Sequence, residues 1–87
     1  NVGELLCLIH SEISEAMEGA RKGLMDTHLE HKSMMEVELA DAIIRIFDLA
    51  ESKNFNLGQT IYEKLEYNRS RADHKIKNRL KEGGKKF

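Results

Sequence analysis

The chain has no proline and no tryptophan, a single cysteine, and only two tyrosines and three phenylalanines among 87 residues. With no proline, nothing breaks the i→i−4 hydrogen-bond ladder, and long helices are permitted. Few aromatic and β-branched residues argue against a β-sandwich. One cysteine, Cys7, rules out an internal disulfide framework and fits a reducing, cytoplasmic setting. No apolar run reaches the ~18 residues of a membrane span, and no signal-peptide pattern is present. The net charge of −1 and a pI near 6.5 leave no basic footprint for nucleic acid. We therefore expect a cytoplasmic protein with neither a membrane nor a nucleic-acid partner. The length is that of one domain, and a domain this small hides only about 60% of its unfolded surface.

What the chain does have is charge, 33% of its residues, laid over helical periodicity. From Val2 to Lys22, Leu5, Leu6, Ile9, Ile13, Ala16, Met17 and Ala20 share one face, with Glu4, Ser11, Ser14, Glu18 and Lys22 opposite. The segment Lys22–Lys32 has no period and reads as a loop or a short helical turn. Ser33 opens a second helix reaching about Ser52, and Ser33 with Glu36 has capping-box spacing. After "KNFN", Asn56 can cap a third helix with Gln59 at its third position. Leu57, Ile61, Leu65, Ala72, Ile76 and Leu80 carry that helix to about Lys81.

These segments predict an all-α fold, an antiparallel helical bundle. Three helices bury little core, and the second is apolar almost all round. A four-helix core completed or extended by homo-oligomerisation, as a homodimer or homotetramer, is the expected solution. The domain would span 1–82. Residues 83–87 would form a flexible basic end to Lys75–Phe87, a stretch with six Lys/Arg against one Glu.

"VELADAIIRIFDLA", Val37–Ala50, is apolar at ten of fourteen positions, yet it carries Glu38, Asp41, Arg45 and Asp48. At the helical period the four fall within an arc of about 80°, one charged stripe on an apolar rod. Taken alone, that stripe is an ordinary solvent face. The first helix adds Glu12, Glu15 and Glu18 at three-residue steps, with Glu12 at the border of the apolar face and Glu15 one step out. Carboxylates three apart have Cβ atoms ~5–6 Å from each other, so they repel, and partial burial raises that cost. Two acidic pairs edging apolar faces on consecutive helices can converge when the helices pack at ~8–10 Å. Oxygen-only ligands suit Mg²⁺ or Mn²⁺, which would leave positions for water or phosphate. Lys64, Asn68, Arg71 and Lys75 form a polar stripe on the third helix that suits phosphate charge, Asn68 by its place at the apolar edge and Arg71 by its planar fork.

Other signals are weaker. His28 and His31 have ligand-like spacing, but no His/Cys cluster backs a zinc site. Cys7, Phe47 and Phe55 are expected in the core, Met17, Met25, Met34 and Met35 in core or loop packing, and His10 packed or hydrogen-bonded. Glu18 and Asp48 are candidates for supporting or general-base roles.

E-I-S-E at Glu12 and Glu15, a gap of 22 residues, then E-L-A-D at Glu38 and Asp41 resembles the ExxE…ExxD signature of the all-α nucleoside triphosphate pyrophosphohydrolases. "LIHSEISEAMEGARKG", "ELADAIIRIFDLAE" and "KLEYNRSRADHKIKNRLKEGGKKF" look like its MazG-like branch, in the same order and over nearly the whole chain. The resemblance implies Mg²⁺-dependent cleavage of an NTP or dNTP between the α- and β-phosphates, giving a nucleoside monophosphate and pyrophosphate. By position it makes Glu12, Glu15, Glu38 and Asp41 the metal ligands and catalytic acids. Lys64, Asn68 and Arg71 would touch phosphate or sugar. It also implies oligomers with sites between packed helices. Family members carry a segment before the first motif helix that helps form the base pocket. Here nine residues precede His10, with the helical period already running, so we expect a natural chain that begins earlier. Two other readings stay open. One is a catalytically silent helical dimerisation module. The other is a narrower relative, dUTPase-like or phosphoribosyl-ATP pyrophosphohydrolase-like.

Overall fold

In the computed structural model, which describes residues 1–81 and side chains through Leu80, the chain forms three helices. Helix α1 spans Val2–Lys22, α2 spans Met34–Ser52 and α3 spans Leu57–Lys81. Each starts where a short polar side chain offers its oxygen to an orphan amide. Asn1 Oδ1 accepts the Glu4 N–H at 3.1 Å, Ser33 Oγ the Glu36 N–H at 3.1 Å, and Asn56 Oδ1 the Gln59 N–H at 3.1 Å. The Ser33–Glu36 pair forms only this half of a capping box. The Glu36 carboxylate instead reaches back to Lys32 Nζ, at 3.5 Å. The basic end at 83–87 lies outside the described residues.

The link from α1 to α2 is ordered by backbone bonds. Gly23 ends α1 with φ of 64°, a left-handed conformation that costs glycine nothing. The Gly23 and Leu24 amides both reach the Gly19 carbonyl. Met34 N–H then donates to the Leu24 carbonyl at 2.9 Å, and Met25 and Ser33 form one antiparallel bridge. Asp26 accepts the His28 and Leu29 amides at 2.9 and 2.7 Å, and those bonds hold its carboxyl below the usual range. The chain is thereby turned back on itself, so α2 runs antiparallel to α1.

Residues Asn1–Phe55 form one unit, and α3 belongs to a second that begins at Asn56. In the first unit the buried positions are small: Ala16 and Gly19 on α1, Ala42 and Ala50 on α2. Small residues let two helix backbones approach, and bulky residues such as Ile44 and Phe47 lie about 200° and 140° round α2 from Ala42, turned away from the seam. Leu5, Leu6, Ile13, Ile43, Ile44 and Phe47 remain exposed. This corrects the expected core: Cys7 is exposed, as are Phe47, Phe55, Met17 and Met35, and His10 too lies at the surface, while Met25 lies exposed in the α1–α2 link. The covered line is displaced from the expected faces: it runs through Glu12, Ala16 and Gly19 on α1 and through Glu38, Asp41 and Ala42 on α2, while Ile13, Met17 and Ala20 stay exposed.

Gly19 marks the tightest point. A Cβ there would sit 2.8 Å from Met34 Cβ and Cγ and 3.1 Å from the Met35 amide. Gly19→Ala would gain up to ~1 kcal/mol of helix propensity. Overpacking a close seam costs about 1–3 kcal/mol and is expected to win. A lower urea midpoint at unchanged m-value is the predicted result. An equal or higher midpoint would mean the seam yields without strain.

Candidate metal centre

Glu38 and Asp41 are one turn apart on α2 and face the same way. Glu12 meets them from α1. The register comes from the alanine seam, since Ala16 follows Glu12 by one turn and Ala42 follows Glu38 by one turn, and both alanines are buried. Close backbones at that level bring three carboxylates to the edge of the seam. Glu12, Glu38 and Asp41 each offer an oxygen within 4.8 Å of the others, and all three are half-buried.

Two devices compensate this concentration of negative charge. Arg45, on the same stripe of α2, donates Nε–H to Glu12 Oε1 at 3.1 Å. Glu38 is the carboxyl that gives up charge most readily: its pKa is pushed up to about 7. The first cause is the hydrogen bond its O–H donates to Glu12, followed by burial and by the charges of Glu12, Glu15 and Asp41. Glu12 moves the opposite way. The Glu38 hydrogen bond lowers its pKa first, burial opposes, and the Arg45 guanidinium lowers it further.

The sequence-derived acids thus separate. Glu12, Glu38 and Asp41 come together. Glu15 is exposed and stands outside the trio, close enough for its charge to raise the pKa of Glu38. Glu18 is tied to Arg21 at 3.2 Å and Lys22 at 2.7 Å. Asp48 lines a small pocket with Leu5, Arg45, Leu49 and Ser52. On α3, Lys64, Asn68, Arg71 and Lys75 are exposed, with Lys64 4.7 Å and Arg71 5.8 Å from the Tyr67 ring centroid. Arg45 is the residue that sequence reasoning left without a role. Its signal was there: one cation on a stripe of three acids, seven residues after Glu38.

A donor set of carboxylate oxygens alone, with no nitrogen or sulfur, fits a hard divalent cation such as Mg²⁺ or Mn²⁺. No protein-family model, curated protein or solved structure matches the chain. No helix among the described residues is long and apolar enough to cross a membrane.

Proposed function

We propose that this chain is a Mg²⁺-dependent nucleotide pyrophosphohydrolase of the MazG-like type. It would hydrolyse an NTP or dNTP between the α- and β-phosphates to the monophosphate and pyrophosphate. The observation that carries the reading is the meeting of Glu12, Glu38 and Asp41 across the α1–α2 seam, from two separate acidic motifs. Those three, with Glu15, would hold the ion. When held there, Mg²⁺, or Mn²⁺ in its place, would supply charge stabilisation to the phosphate oxygens of the substrate. Glu12 and Asp41 would offer carboxylate oxygens to that ion, and Glu38 would join them once its proton has left. Lys64, Asn68 and Arg71 would bind phosphate or sugar, Arg71 through its planar fork. The exposed apolar faces of α1 and α2 support a homodimer or homotetramer that completes the helical core.

The test is incubation with each NTP and dNTP, with Mg²⁺ and with EDTA, and identification of products by ion-exchange chromatography. Metal-dependent monophosphate plus pyrophosphate is expected, from a species that sediments as a dimer or tetramer. Diphosphate plus orthophosphate would mean a different bond is cut. Turnover of dUTP alone, or of phosphoribosyl-ATP alone, would indicate one of the narrower enzymes. The exposed apolar faces also favour a second reading, a catalytically silent helical dimerisation module. That module would sediment as an oligomer, turn over no nucleotide and bind no metal at the three acids.

A further inference from the structure

We propose that Arg45 is a built-in stand-in cation, which holds the Glu12 carboxylate until a divalent ion arrives and competes with that ion for it. The proposal rests on the metal-centre reading above and adds a regulator of its affinity. Glu12 comes from α1 and Arg45 from α2, so this ion pair crosses the seam at the level of the acid trio. The Glu12 side chain is only 15% exposed, so its charge is poorly served by water and needs a partner. Arg45 supplies one through Nε–H at 3.1 Å. A divalent ion among the trio would bring positive charge against a guanidinium already on one of its ligands. The two cations repel, and they draw on the same carboxylate.

Arg45 is also built to leave. Its side chain is 42% exposed, so the head can return to water. Asp48, three residues on, lines the same small pocket as Arg45. Side chains three apart on a helix are neighbours, so the displaced guanidinium has a second carboxylate within reach. The opposite role, in which Arg45 orients Glu12 for the metal, predicts the opposite sign on its removal.

The experiment is calorimetric titration of MnCl₂ into EDTA-stripped, dialysed full chain: wild type, Arg45→Gln, Arg45→Lys and Glu38→Gln. Arg45→Gln is expected to bind Mn²⁺ about tenfold more tightly than wild type, equal to about 1.4 kcal/mol. Arg45→Lys, which keeps the charge, should stay within about threefold of wild type by the same conversion. Unchanged or weaker binding by Arg45→Gln would overturn the proposal. Loss of binding in wild type and Arg45→Gln alike would overturn the metal centre itself. Binding in wild type that Glu38→Gln abolishes, without tightening in Arg45→Gln, would overturn only the role of Arg45. A second measurement needs no variant. In ¹⁵N spectra of wild type, the Arg45 Nε–Hε signal should move to its free-arginine position as Mg²⁺ saturates. A signal unmoved at saturation would overturn the displacement.

Discussion

Glu38→Gln is expected to lower kcat/KM by at least about 10³-fold and leave helix content unchanged. A metal ion supplies several kcal/mol of transition-state charge stabilisation, and each 1.36 kcal/mol is tenfold in rate. Glutamine is a near-isostere that can neither shed a proton nor become a charged ligand. It still offers an amide N–H to Glu12, in place of the O–H that protonated Glu38 donates there. The local hydrogen bond therefore survives while the third negative charge is lost. Circular dichroism and the urea midpoint separate a dead site from a broken fold. Glu15→Gln should show a comparable loss, since the sequence motif pairs it with Glu12. If Glu15→Gln stays near wild type while Glu38→Gln is dead, the ligand set is the trio alone. Full activity in Glu38→Gln would remove the metal centre from the proposal.

Much of the fold could be read from residue order because the helix signals are local. Asn1, Ser33 and Asn56 each cap a helix at the third following amide, and Gly23 terminates α1, all contacts within five residues in sequence. The residue order groups four acids as two i, i+3 pairs, Glu12/Glu15 and Glu38/Asp41, and three of them, Glu12, Glu38 and Asp41, meet in the fold. What periodicity cannot supply is depth. It marks Leu6, Ile13 and Phe47 as apolar-face residues, but which side of each helix meets the other decides what is covered, and Phe47 lies about 140° round α2 from Ala42. The meeting line passes through Gly19, where a Cβ would clash with Met34, and through the buried Ala16 and Ala42. The same limit hid Arg45. Its place on the charged stripe follows from counting, but its bond to Glu12 spans 33 residues and exists only once the seam has formed. The split between Glu12, inside the group, and Glu15, outside it, likewise depends on the α1–α2 register.

Metal binding should weaken as pH falls, by roughly 25-fold between pH 7.5 and 5.5, because the ion must displace the proton on Glu38. The pKa of that carboxyl is raised to about 7 from an ordinary 4.5, so the folded chain holds the proton more tightly than the unfolded one. Its stabilising contribution is complete below pH 4.5 and is lost as pH rises through about 7. In EDTA, then, stability contributed by Glu38 falls between pH 5.5 and 8. The pKa of Glu12 is shifted the other way, and its contribution disappears only as pH drops below 4.5, outside this window. With saturating Mg²⁺ the slope should reverse. Bound ion favours the fully ionised trio, so stability rises with pH as the competing proton is removed. Thermal melts at pH 5.5, 6.5, 7.5 and 8.0, in Mg²⁺ and in EDTA, should therefore give diverging curves, the gap widest at high pH. Glu38→Gln has no proton to exchange and should flatten the EDTA curve over the same window. Parallel curves for wild type in Mg²⁺ and EDTA would mean that the proton on Glu38 and the metal do not share a site.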